Sequence, residues 1–462
     1  MHQTKFALAV LAAAVLAGCG GSTAGDQTLK VKYSAQVSFG DSLSDVGSYA
    51  VGTVAALKGG KFTINGDNRS INPELTGKNW TELMAAQFSL PAPCAAETGL
   101  DGDASQGFSV PIKFNTGCYG YAMGGSRVTN PVGPNNKLTG SALGALTVPV
   151  VTQISNHLAA VGGKFKGDEI VFVMAGGNDA LFQLGALQSG ATAAGTAAGA
   201  QAGAQAFAAN LVAAFAAGAP NPATAAQSIG AAVAAAAAAP GATSASIVGA
   251  AVQAAVLAGN TAVGTPAGYG PLVAKAQADA TATGNAAGAA AGAAYAAAQG
   301  PALVAAMATA GNDLVALVKN QIIANGATRV VVNNLPDIAN TPSGLSKDAS
   351  TKALINAMVS AYNGALNTLS SEPKVLVVDV FAVSHDQATN PAPYGLTNVT
   401  DTACDLTPAK NPLGSSLVCN GSNLKAGDVS HYSYADDVHP TPFNNLLLAR
   451  YVSKAMVVKG WL

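Results

Sequence analysis

Charge is what this chain has least of: Asp, Glu, Lys and Arg together make up 10% of 462 residues, against roughly 25% in ordinary soluble domains. From Ala180 to Ala274 there is none of the four. A formal net charge of -1, with its cations thinly spread, leaves no basic face for nucleic acid and no polybasic patch for anionic lipid. Both are excluded as partners. Cysteine is sparse, five residues in all, with no Cys-x-x-Cys, so a structural zinc site is disfavoured. Tryptophan occurs twice. After the first residues no stretch of about 20 is rich in Leu, Ile, Val or Phe, so a membrane-spanning helix is not expected.

Lys5 precedes the apolar run Phe6–Leu16, too short to remain as a bilayer span and suited to an export signal over residues 1–18. It ends in Leu16-Ala17-Gly18-Cys19, which resembles a bacterial lipobox. That resemblance implies cleavage before Cys19, lipidation of its sulfur and attachment to a membrane by the lipid. Gly20 rather than Asp at the next position points to the outer membrane. An ordinary signal peptide that leaves Cys19 as a thiol is the alternative. Residues 19–34 are small and polar, as in a flexible tether. Export leaves Cys94, Cys118, Cys404 and Cys419 in an oxidising compartment. Of the three possible pairings, Cys94 with Cys118 and Cys404 with Cys419 close the shortest loops and are expected.

Along the rest of the chain, apolar periodicity marks helices at Trp80–Phe88, Pro149–Val161, Ala302–Ile323, Lys347–Leu369 and Asn444–Val457. Trp80 is read as core, and His157 as packed or at the rim. Short apolar runs starting near Ala35, Tyr119, Ile170, Arg329 and Lys374 read as five buried strands. Alternation of such strands with helices argues an α/β fold with a parallel sheet covered on both faces. Its ligands should bind beyond the carboxyl ends of the strands. The regular pattern occupies residues 35–183 and 301–462. Between them, residues 184–300 are rich in Ala and Gly. Alanine favours helix while Gly and Pro220, Pro240 and Pro266 interrupt it, so this insertion is expected to be several closely packed small-residue helices or to be partly disordered. A lid over a cleft and a tolerated expansion are both open roles for it.

The chemistry-bearing residues fall where such strands end. Val37-Ser38-Phe39-Gly40-Asp41-Ser42-Leu43 places Ser42 on the turn after a strand, before helix-start residues Ser44 and Asp45. Gly124-Gly125 and Gly176-Gly177-Asn178-Asp179 follow two further strands. Near the end, Asp436-Asp437-Val438-His439-Pro440 supplies an imidazole with two candidate carboxylates. A nucleophile, a base, an acid that orients the base and donors for an oxyanion are the parts of an ester hydrolase. Gly311-Asn312-Asp313 repeats the asparagine motif inside a helical pattern and is read as a decoy.

Taken together, Gly40-Asp41-Ser42-Leu43, Tyr121-Ala122-Met123-Gly124-Gly125, Gly176-Gly177-Asn178-Asp179 and Asp436-Asp437-Val438-His439-Pro440 resemble, in order, the blocks of the GDSL esterase/lipase or SGNH hydrolase family. Asn334-Leu335-Pro336 and Pro393-Tyr394-Gly395-Leu396-Thr397-Asn398 further resemble its branch of phospholipases, haemolysin-like lipases and outer-membrane esterases. The resemblance implies a three-layer, flavodoxin-like α/β/α hydrolase with five parallel strands. It makes Ser42 the nucleophile, His439 the base and Asp436 the orienter, with Asp437 as alternative. The Ser42 and Gly125 N–H groups and the Asn178 side chain would form the oxyanion hole, Gly124 being the one-residue alternative to Gly125. It implies a small or lipid ester substrate and neither metal nor organic cofactor. Phospholipid-dependent acyl transfer by the same residues, or an inactive scaffold serving surface adhesion or assembly, are the competing readings.

Overall fold

The structure is a computed structural model that describes residues 31–70, 72 and 76–462. The export signal, Cys19 and the tether up to residue 30 lie outside the described residues. In chain order the principal elements are β1 (Gln36–Gly40), α1 (Trp80–Gln87), β2 (Glu97–Asp101), β3 (Ser109–Phe114), α2 (Val150–Ala160), β4 (Ile170–Met174), α3 (Gly177–Ala216), α4 (Pro222–Ala238), α5 (Ser244–Leu257), α6 (Pro266–Leu317), β5 (Val330–Asn333), α7 (Ala349–Asn367), β6 (Val375–Val378), α8 (Val380–Thr389), β7 (Asn398–Thr402), β8 (Tyr432–Tyr434) and α9 (Pro442–Lys459). They divide into two compact units, one of residues up to Ala175 with Asp313–Lys347 and Leu366–Leu462, the other of Gly176–Asn312 with Asp348–Ala365.

The first unit is built on a parallel sheet in the order β1-β4-β5-β6. β1 and β4 are buried along their whole length, which is why they read as continuous apolar runs rather than alternating ones. One face carries Trp80, Met84 and Phe88 of the α1 region with Val452 and Met456 of α9, packed on Phe172, Met174 and Val331. Trp80 is fully buried, as its spacing suggested. The sheet has four strands, not five. Tyr119-Gly120 runs beside β1 only at a single bridge from Ser38 to Gly120. There Ser38 N–H donates to the Tyr119 carbonyl and Tyr121 N–H to the Ser38 carbonyl. The backbone then turns into the Gly124-Gly125 loop, where Met123 N–H donates to the Gly40 carbonyl, and the ladder is not continued.

Two cross-links, Cys94–Cys118 and Cys404–Cys419, are formed in the short-loop pairing, and disulfides belong to an oxidising, exported environment.

Gly40 shows why β1 ends where it does. Its φ is +146°, and a Cβ there would lie 1.9 Å from the Met174 carbonyl oxygen. Only a residue without a side chain fits between the ends of β1 and β4.

In the second unit the Ala- and Gly-rich segment is helical, not disordered, and has a core of its own around Leu211, Phe215, Ile229, Val233 and Val263. α3 and α6 meet backbone to backbone: a Cβ on Gly195 would stand 2.8 Å from the Gly288 carbonyl oxygen, and one on Gly199 2.9 Å from that of Gly284. Glycine every fourth residue on both helices makes that approach possible and replaces the contacts larger side chains would supply. The unit reaches beyond residues 184–300, because α3 and α6 each continue past the low-complexity stretch. It also takes in most of α7, where Gly311 lies against the Tyr362 backbone and the Ala365 side chain. By length and composition Pro266–Ile323 would suffice to cross a membrane, a property it shares with core helices of soluble proteins. Gly311-Asn312-Asp313 lies inside α6 with no strand before it.

His157 of α2 is fully buried in the first unit, and neither ring nitrogen has a hydrogen-bond partner. Phe39, Tyr119, Tyr121 and Phe165 surround it at ring-centroid distances of 4.6 to 5.7 Å. Burial pushes its pKa down from 6.5 to about 4. The unfolded chain therefore binds this proton below pH 6.5, whereas the folded chain resists it until about pH 4, so stability falls as pH drops through that window. Comparing urea unfolding of the wild type and His157→Leu at pH 7 and pH 4.5, we expect the variant to be spared about 2–3 kcal/mol of the acid-induced loss. An equal loss in both proteins would refute this assignment.

Candidate active site

The turn after β1 is not a helix start, as Ser44 and Asp45 had suggested, but a run of tight turns from Asp41 to Tyr49. The reason lies in Asp45. Its side chain, instead of capping a helix, is fully buried. One carboxylate oxygen accepts from the Gly47 and Ser48 N–H groups at 2.8 Å each; the other accepts from the Ser48 hydroxyl at 2.5 Å and the Gly124 N–H at 2.9 Å. Burial, resisted by these bonds, raises the Asp45 pKa. One side chain thus joins the Ser42 turn to the Gly124-Gly125 loop. Gly125 itself has φ +78°.

The turn is braced from the other side by α1. Asn79 caps that helix in a capping box with Glu82 and donates through Nδ2 to the Asp45 carbonyl at 2.9 Å. The Trp80 indole N–H reaches the Ser44 hydroxyl at 3.2 Å. Behind Gly40, Gln153 of α2 takes the place of a strand neighbour. Its Oε1 accepts from the Gly40 N–H and its Nε2 donates to the Gly40 carbonyl, each at 2.8 Å.

On this frame Ser42 and His439 meet across 397 positions of sequence, with Ser42 Oγ 2.8 Å from His439 Nε2. His439 Nδ1 lies 2.8 and 2.9 Å from the two Asp436 carboxylate oxygens. The carboxylate also accepts from the backbone N–H groups of Val438, His439 and Ser416 at 2.7–3.1 Å. Asp437, the alternative orienter, is exposed and contributes its carbonyl to Ser343 N–H. Asp436 is therefore the partner of the imidazole. The local chain follows from helix-start chemistry: Thr441 caps α9, accepting from Asn444 N–H, and Pro442 occupies its first turn. His439 is left on the short segment just before it.

Electrostatics favour a charged imidazole here. Burial opposes the charge on His439, but Asp436, helped by Asp41 and Asp437, outweighs it and lifts the pKa above 6.5. Burial would likewise raise the Asp436 pKa, yet His439 and the Ser416 N–H hold it well below the usual carboxylate range. Partial desolvation of the Asp437 carboxyl, together with the neighbouring Asp436 charge, raises its pKa. Phe62 lies over the imidazole at 4.9 Å between ring centroids.

Asn178, the remaining donor candidate, is buried in the first turn of α3, in the second unit. Among the described residues no group of three or more His, Cys, Asp and Glu is placed to hold a metal ion. Sequence reasoning missed Gln153, Phe62 and Ser416. None sits in a recognisable pattern, and each acts only through contacts with residues far away in the chain. The Asp45 role carried one signal, its place within the Ser42 motif.

No family model matches this chain, and no curated protein matches it.

Replacing Gln153 by Leu strips a buried N–H and a carbonyl of Gly40 of their side-chain partner. The expected cost is about 1–3 kcal/mol in chemical denaturation. Equal stabilities for the wild type and Gln153→Leu would rule out this brace.

Proposed function

We propose that the chain is a serine carboxylic-ester hydrolase of the SGNH type, and that Ser42, His439 and Asp436 are its catalytic residues. The observation that supports this reading best is the unbroken hydrogen-bonded series from Ser42 Oγ through both nitrogens of His439 to Asp436. Hydrolysis by an acyl-enzyme then runs as follows. Ser42 Oγ attacks the ester carbonyl carbon while its proton passes to His439 Nε2, and Asp436 stabilises the imidazolium. The tetrahedral intermediate collapses as His439 returns that proton to the leaving alcohol. Water, deprotonated by the same nitrogen, then attacks the acyl group, and as the second tetrahedral intermediate collapses His439 gives that proton to the departing Ser42 Oγ, releasing the acid and free Ser42.

The negative charge that develops on the carbonyl oxygen needs fixed donors. The Ser42 and Gly125 N–H groups are the backbone candidates, and the Asp45 link between their two loops supports that assignment. Asn178 is the third donor on the strength of its motif. The reaction so written uses no metal or organic cofactor. In this reading the protein is exported and anchored by lipid at Cys19.

Ser42→Ala and His439→Ala should each abolish cleavage of p-nitrophenyl esters, and Asn178→Ala should lower kcat by roughly 10²–10³. Ester cleavage undiminished in purified Ser42→Ala ends the assignment. Because His439 must be neutral to act as base and its pKa is raised, kcat/KM should rise with pH through an inflection above 6.5. Removing the Asp436 charge with Asp436→Asn should move that inflection down while lowering the rate. An inflection unmoved in Asp436→Asn would separate it from His439.

A further inference from the structure

A cavity of about 70 Å³ lies at the carboxyl edge of the sheet, under the residues that flank the nucleophile and base. Leu43, which follows Ser42, and Val438 and Pro440, on either side of His439, all line it. Met174 at the end of β4, Val383 of α8 and Leu448 of α9 form other parts of its wall. All are residues of the first unit. Leu43, Val438, Pro440 and Leu448 are only partly buried, whereas Met174 and Val383 are buried, so the space runs from the surface inward.

The lining contains no Asp, Glu, Lys, Arg or His, and although Thr341, Ser384, Gln387, Tyr434 and Asn444 contribute to it, its exposed wall is mostly apolar. A charged headgroup would enter it without a counter-charge, and a sugar would lose most of its hydration. A hydrocarbon tail suits such walls. The size then limits the tail. Drug-sized ligands occupy roughly 300–1,000 Å³ and an apolar cavity of about 150 Å³ holds one benzene ring, so on that scale this space takes about three carbon atoms. Ser42 and His439 are not themselves in its wall, but their chain neighbours Leu43, Val438 and Pro440 are, so an acyl chain whose carbonyl carbon sits at Ser42 would have room there for two or three carbons.

Resting on the hydrolase reading above, we propose that this cavity is the acyl subsite and that the substrates are esters of short acids, with a butyryl group filling it. Val383 and Leu448 are then specificity-determining residues, set on two different helices. Each methylene buried should raise kcat/KM about four-fold until the space is filled, after which longer chains lose the gain.

The test is a series of p-nitrophenyl esters with acetyl, butyryl, hexanoyl, octanoyl and palmitoyl groups, measured on the purified full chain and on variants whose melting temperature is recorded. The wild type should be best on butyrate. Val383→Phe should lower the butyrate-to-acetate ratio of kcat/KM about ten-fold or more, and Leu448→Ala should move the optimum to hexanoate or octanoate. Should Leu448→Ala fail to fold, Val383→Ala supplies the same enlargement more mildly. A wild type that prefers octanoate or palmitate, or folded variants with the wild-type profile, would overturn the subsite while leaving Ser42 as nucleophile. Failure of the wild type to cleave any ester, with no labelling of Ser42 by a fluorophosphonate, would instead remove the hydrolase reading and the subsite with it.

Discussion

The position of Gly40 is the constraint on which the first unit turns. Its backbone is pressed against the Met174 carbonyl so closely that no Cβ fits, and both of its hydrogen-bonding groups are taken by Gln153. The strand end is thereby fixed from the sheet and from α2 at once. Ser42 is two peptide bonds further on, too few for its hydroxyl to wander. A buried strand end is also where a polar turn is least costly to hold, because the ladder stops there and its last groups need other partners.

Charge inside this unit is always tied down. Asp45 and Asp436 are buried carboxylates, and each accepts several backbone N–H groups as well as a side-chain donor. Such bonds offset the loss of water around the anion. The two nevertheless differ in consequence. Asp45 faces neutral donors only, so burial prevails and its pKa rises. Asp436 faces an imidazole, and its pKa falls. His157 is a third case, with no partner at all, and it stays neutral within its aromatic surround.

The second unit solves the folding problem with almost no charge and few large side chains. Small residues cannot bury much area each, but they lose little side-chain entropy on folding. They also let helices approach until backbone contacts backbone, as at Gly195 and Gly288. Larger apolar groups such as Phe215 and Ile229 are concentrated where α3, α4 and α5 meet, which gives the unit a core where glycine packing alone would be weak.

Much of this was legible in the chain itself. The apolar runs of β1, β4, β5 and β6 and the periodic spacing of α1, α2, α7 and α9 depend on local patterning, which a sequence displays directly. The short-loop disulfide pairing also followed from spacing. The fifth strand failed because an apolar run specifies burial, not a partner to pair with, and Tyr119-Gly120 finds only one rung beside Ser38. The helix start after Ser42 failed because the Asp45 carboxylate was claimed by turn N–H groups and by Gly124, a residue 79 positions away. Sequence alone therefore determined the four strands of the parallel sheet and several of the helices, and placed Ser42, Asp436 and His439 in suggestive company. Only the tertiary structure decided that Asp436 and not Asp437 faces the imidazole, that Gln153 holds Gly40, and that a small, mostly apolar cavity lies against Leu43, Val438 and Pro440. Those outcomes rest on contacts between distant segments, whose geometry is set when the sheet and its helices pack and is written in no local pattern.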